Sequence, residues 1–206
     1  MTDYFLLDVF TDRAFSGNPL AVFPYAEGLA SGTMQAIANE LNLSETVFVG
    51  EAAGQHRYPI RIFTPTRELP FAGHPVIGTA HLLVELGMAK HECPLVLEAG
   101  VGPLVVEFDQ VRARLTTAEP VSILSSTLPR ASAAELLGLA GYLAQNRGAG
   151  RWQIEQGIEM GRPSRILAEA DRTEDDLSIR IAGEAVIVGS GTLHLPGGLT
   201  VSREAP

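Results

Sequence analysis

Apolar and polar positions follow two rhythms along this chain, one of strands and one of helices. Residues 4–10 (Tyr-Phe-Leu-Leu-Asp-Val-Phe) and 20–23 (Leu-Ala-Val-Phe) are rich in strand formers, and Ser16-Gly17-Asn18-Pro19 between them is a dense turn signal. The pattern predicts strand, turn, strand. Next, Met34, Ile37, Ala38 and Leu41 recur at the spacing of one helical face, with Ser31 placed to cap the helix and Asn42 and Ser44 to end it. Strands resume at 46–49 and 58–63. A second helix is expected to start at Pro75 and run through Val76, Ile77, Ala80, Leu82, Leu83, Val84 and Leu86, closed by Gly87. It is apolar nearly all round, which suits a helix enclosed by a curved sheet.

Strand-like runs follow at 94–98, 103–108 and 111–117, and then a Thr/Ser/Pro-rich stretch from Thr117 to Pro129. This organisation predicts a complete first domain over 1–117, a linker over 118–129 and a second, shortened domain over 130–206. The second part opens with a helix-forming segment from Ala131 to Gln145 and continues with strand candidates at 151–156, 164–170, 177–181 and 184–188. Its order echoes the first part. Glu98-Ala-Gly-Val-Gly-Pro-Leu-Val-Val has a loose counterpart in Glu155-Gln-Gly-Ile-Glu-Met-Gly-Arg-Pro-Ser-Arg-Ile, each following a helix. Residues 1–73 have no such counterpart, so half of a repeat is missing. A sheet left short in this way exposes edges that a second copy could cover, and a homodimer is expected.

Composition narrows the function. Fifteen Lys and Arg against 24 Asp and Glu leave a net charge of -9, the wrong sign for a nucleic-acid surface. The single Cys93 forms no internal disulfide, and no Cys/His cluster has metal-site spacing, so neither an oxidising compartment nor a built-in metal is implied. The first residues lack the basic start of a signal peptide, and no run of eighteen apolar residues follows. The expectation is a cytoplasmic protein without membrane or nucleic-acid partners.

Two blocks carry chemistry. In Arg61-Ile-Phe-Thr-Pro-Thr-Arg-Glu-Leu-Pro-Phe-Ala-Gly-His-Pro-Val-Ile-Gly-Thr-Ala80, a loop brings Gly73 and His74 to a helix start. Free backbone N–H groups and the positive end of the helix dipole would suit a substrate carboxylate there. The same residues also fit a plain helix start with a satisfied loop histidine. In Ile37-Ala-Asn-Glu-Leu-Asn-Leu-Ser-Glu-Thr-Val-Phe-Val49, Ser44 and Glu45 stand between a helix and a strand. Glu45 fits a general base whose proton affinity is raised by desolvation, while the plainer reading is a solvated turn acid. His81 reads as a hydrogen-bonded residue of the buried helix, Trp152 as packing, and His56, His91 and His194 as isolated. Gly100-Val-Gly102 opens no helix, so no dinucleotide site is expected.

At these blocks the chain resembles the PhzF family, the phenazine-biosynthesis-like isomerases. The resemblance rests on Asp8-Val-Phe-Thr, on Phe15-Ser-Gly-Asn-Pro-Leu-Ala-Val-Phe23, on Met34 through Phe48, and on Arg61 through Ala80. It continues in Ala140-Gly-Tyr-Leu-Ala-Gln145 and Trp152 through Arg165. It implies an α+β, diaminopimelate-epimerase-like fold: two similar domains, each a curled, mainly antiparallel sheet around a central helix, with the active site between them. It also implies an isomerase without metal or organic cofactor. Glu45 matches the family's acid/base, Gly73 and His74 its substrate site, with Ser44 lining it, and a small carboxylate is the implied substrate. The family's Asp-Pro-Ala-Thr-Gly-Ser-Ala type motif, which faces that acid/base from the second domain, is missing from this chain. The join lies near Leu136-Leu-Gly-Leu-Ala-Gly-Tyr142 and reads as an internal deletion. Two-cysteine epimerases of the same fold are excluded by the single cysteine. The alternative is a degenerate member that binds a small acid or a protein partner.

Overall fold

The computed structural model describes residues 1–116, 149–172 and 177–195. The linker expected over 118–129, the helix expected over 131–145 and the join near Leu136 lie outside the described residues. The first part contains β1 (Thr2–Val9), β2 (Asn18–Phe23), α1 (Ser31–Leu41), β3 (Glu45–Val49), β4 (Arg57–Phe63), β5 (Glu68–Leu69) and α2 (Gly73–Glu85). There follow β6 (Leu95–Ala99), β7 (Gly102–Asp109), β8 (Arg112–Thr116), β9 (Gly150–Gln156), β10 (Ser164–Arg172), β11 (Leu177–Gly183) and β12 (Ala185–Leu193). A single 3-10 turn, Ile158–Met160, joins β9 to β10.

These strands form one sheet in the order β12-β1-β2-β3-β4-β6-β7-β8-β11-β10-β9, with β5 beside β4. All neighbours are antiparallel except β2 with β3 and β4 with β6. The sheet curls around α2, which packs against β1, β2, β3, β6, β8, β11 and β12. Ten residues of α2, from Gly73 to Ala80 and then Leu82 and Leu83, are buried, as its all-round apolar sequence requires. Strands on both sides of the undescribed segment therefore enclose one helix. β12 lies antiparallel to β1, opposite Thr2 to Val9, with an irregularity between Leu6 and Leu7.

The period-two rule assigns the faces of the central strands. Leu20 and Val22 of β2 and Val47 and Val49 of β3 belong to the core around α2. Ala21, Phe23 and Phe48 point the other way, to Met34, Ile37 and Ala38 of α1. There Phe23 stacks on Phe48 at 4.8 Å and Phe63 meets Phe48 edge-on at 5.5 Å. α1 thus covers the outside of the sheet and α2 fills the inside.

Local details correct three expectations. Ser31 is the first helical residue, not the cap; the cap position is Ala30, which makes no side-chain capping bond. The Ser31 hydroxyl instead accepts a hydrogen bond from Arg61 Nη1 at 2.8 Å. α2 begins at Gly73, two residues before Pro75, so His74 lies within its first turn. Glu45 opens β3 and does not stand in a turn. The helix does end at Asn42, as expected, and the structure shows it does so in the left-handed conformation, with φ 51°.

Gly17 shows how tightly the Ser16–Pro19 turn is set against β1. It has φ +62°, and a Cβ there would stand 2.3 Å from the Val9 carbonyl oxygen. Gly17→Ala is therefore expected to lower stability by about 2 kcal/mol or more, from left-handed strain and the backbone clash together. Urea denaturation of the two proteins checks this; a change below about 0.5 kcal/mol would show that the turn relaxes freely.

Candidate active site

Glu45 lies on the same face of β3 as Val47 and Val49, so its side chain is carried toward α2. His74, in the first turn of α2, meets it. The residues are only 6% and 4% exposed, and His74 Nε2 stands 3.3 Å from Glu45 Oε2. The approach is close but poorly directed for a hydrogen bond, and both atoms are buried without a hydrogen-bond partner. Two unpartnered polar atoms facing each other in a core are costly, unless something else engages them.

Burial sets their protonation. It pushes the Glu45 carboxyl above the usual carboxylate range, opposed by the Ser44 hydroxyl. It pushes His74 down to about 3, so the imidazole is neutral near pH 7. His74 can then offer a ring N–H or a lone pair, but no positive charge. Ser44 is exposed, and its hydroxyl also reaches the Pro19 carbonyl oxygen at 3.4 Å. Gly73 is buried as the first residue of α2, after Ala72, which supplies no side-chain cap. The four residues singled out in the sequence thus come together where the start of β3 meets the start of α2. The solvated-turn reading of Glu45 does not survive its burial.

His81 and His91 find partners away from this site. His81 Nε2 lies 3.1 Å from the Gly183 carbonyl oxygen, consistent with a bonded residue of the buried helix. His91 is not isolated: its ring packs edge-on against Phe108 at 4.5 Å. A cavity of about 260 Å³ lies elsewhere, between Phe10, Thr11 and Arg13 on one side and Pro163 and Arg165 on the other, and Glu45 and His74 do not line it.

Sequence reasoning missed a further set of contacts around the Ser16–Pro19 turn. Arg162, after the 3-10 turn, donates to Asp8 Oδ1 at 2.5 Å, to the Ser16 carbonyl oxygen at 2.9 Å and to the Gly17 carbonyl oxygen at 3.1 Å. The backbone N–H of Gly17 donates to the Pro163 carbonyl oxygen at 3.0 Å. Asn18 Oδ1 accepts from Ser164 Oγ at 3.3 Å and Gln156 Nε2 at 3.5 Å. The only sequence signal was that both partners stood in recognisable blocks.

A family model described as "PhzC-PhzF: Phenazine biosynthesis-like protein" matches residues 7–137. The chain belongs to this phenazine biosynthesis-like family. An uncharacterized isomerase of Pasteurella multocida is 29% identical to it over 279 aligned positions, covering 95% of each chain. That alignment is longer than the 206 residues present here, so it passes through gaps in this chain. A trans-2,3-dihydro-3-hydroxyanthranilate isomerase of Pseudomonas chlororaphis is 41% identical over 118 residues, which are 57% of this chain and 41% of that relative. Against several of the curated relatives, then, the matched part spans only about a third to two-fifths of their length. A predicted epimerase of Pseudomonas aeruginosa superposes with a TM-score of 0.78 at 22% identity, covering 95% of this chain and 100% of that one. The fold is accordingly α+β and epimerase-like, as the family motifs implied. No helix among the described residues is long and apolar enough to cross a membrane.

Proposed function

We propose that the protein is an isomerase that moves a proton between carbons of a small carboxylate substrate, with Glu45 as the acid/base. The facing of Glu45 and His74 carries this reading: two buried groups, 3.3 Å apart, each keep a polar atom without a hydrogen-bond partner. A carbon acid needs a base whose proton affinity is raised toward neutrality, and desolvation raises that of Glu45. In the reaction Glu45 takes the proton from one carbon and returns it to another. Neutral His74 hydrogen-bonds the substrate, and the start of α2 at Gly73 holds its anionic group through backbone N–H groups and the helix dipole. Ser44 lines the same site.

In this reading residues 1–117 supply the acid/base and the anion-binding helix start, and 130–206 form a shortened second domain. The protein works in the cytoplasm as a homodimer and uses no metal or organic cofactor. β9 and β12 end the described sheet and are edges that a second copy could extend.

The relative from Pseudomonas chlororaphis names the first substrate to try. Incubation with trans-2,3-dihydro-3-hydroxyanthranilate in heavy water should place deuterium on carbon, read by mass spectrometry, and should not do so with Glu45→Gln. The missing Asp-Pro-Ala-Thr-Gly type motif favours a second reading, a non-catalytic binder of small acids. Tight binding of aromatic carboxylates by the folded protein without any exchange would select that reading over the isomerase.

A further inference from the structure

We propose that Arg162 is a positioning residue for Glu45, acting through the Ser16–Pro19 turn; the inference rests on the reading of Glu45 as a desolvated acid/base. Arg162 comes from the loop between β9 and β10, far along the chain from the site. Its guanidinium spans three acceptors: Asp8 Oδ1, the Ser16 carbonyl oxygen and the Gly17 carbonyl oxygen. A planar fork of N–H donors suits such a spread, and pairing with a carboxylate strengthens it. Asp8 is only 2% exposed, and its second oxygen accepts the Phe15 backbone N–H at 2.6 Å. One ion pair, its Asp8 side buried and its Arg162 side partly exposed, therefore holds both the start and the middle of the turn. The Gly17–Pro163 backbone bond and the Asn18–Ser164 contact continue the attachment.

The turn leads directly into the strand that borders Glu45. Pro19 accepts from the Ser44 hydroxyl, and Leu20 is the parallel-strand partner of Glu45. Displacing residues 16–19 would loosen β2 against the start of β3 and admit water to a carboxyl now buried. It would also remove an acceptor from Ser44, leaving that hydroxyl to Glu45 alone. Both changes favour the carboxylate. The titratable group facing Glu45 from the packed helix is His74, which the loss of Arg162 leaves in place.

The test follows the Glu45 carboxyl by NMR through a pH titration, with Glu45→Gln assigning the signal. In Arg162→Met and in Asp8→Asn, each shown to be folded by its amide spectrum, the Glu45 midpoint is expected to move down toward that of an unburied glutamate. Arg162→Lys should recover part of the shift, since it keeps the charge but not the fork. Arg57→Met, which breaks the Arg57–Glu98 ion pair at the far end of β4, should leave the midpoint where it is. An elevated Glu45 midpoint that stays put in folded Arg162→Met or Asp8→Asn overturns the positioning role while leaving the acid/base reading intact. A wild-type midpoint already in the ordinary range overturns both.

Discussion

Replacing Glu45 with glutamine is expected to reduce carbon-proton exchange by about 100- to 10,000-fold, the usual contribution of a positioned acid/base. The amide keeps the size and shape of the side chain but cannot take up a proton. Folding should be preserved, and the pH dependence of stability gives an internal check. Because burial raises the folded-state pKa of Glu45 above 4.5, the folded protein holds that proton after the unfolded chain has released it. The Glu45 contribution is therefore intact below pH 4.5 and is lost as pH rises through the folded-state pKa. Glu45→Gln lacks this loss and should gain stability relative to wild type on the alkaline side of pH 4.5. Deuterium incorporation and urea midpoints measured on the same two proteins read both effects. Equal exchange by the two would remove Glu45 from the chemistry.

The second large effect belongs to His74, with the opposite slope. Its pKa is held down to about 3 from 6.5 by burial, so between those values the unfolded chain binds a proton that the folded chain refuses. Stability from this group is fully present above pH 6.5 and is lost as pH falls toward 3. At about 1.4 kcal/mol per pKa unit, the loss amounts to roughly 3 kcal/mol between pH 7 and pH 4. His74→Gln, which cannot titrate, should not show it. The difference in unfolding free energy between wild type and variant is thus expected to change by roughly 3 kcal/mol across that interval. A constant difference would mean that His74 titrates as it does in water and that the core around it admits solvent.

The elements most easily read from the chain are those whose neighbours in sequence are also their reason for existing. The all-round apolar run of α2 announced an enclosed helix, and Leu82 and Leu83 are indeed fully buried against the surrounding sheet. The strand runs at 58–63 and 103–108 sit within β4 and β7 because period-two burial leaves its mark over a few residues. End positions were less legible. Ser31 has the chemistry of a helix cap, but its hydroxyl serves Arg61 instead, a partner thirty residues away. His91 looked isolated because nothing in its local sequence points to Phe108.

Glu45 and His74 stand in motifs, but a carboxyl at a helix-to-strand boundary is consistent with a wet turn as well as with a dry base. What distinguished them was the sheet: β3 lies between β2 and β4, and the pleat turns Glu45 to the side that α2 occupies. The Asp8–Arg162 pair joins residues 154 positions apart, and nothing local to either one points to the other. By itself the sequence determined the family, the alternation of elements and the residue types available for proton transfer, since all three depend on short-range pattern. Only the tertiary structure decided which of those residues face each other and lose their water, because desolvation depends on every element packed around a group and not on its neighbours in the chain.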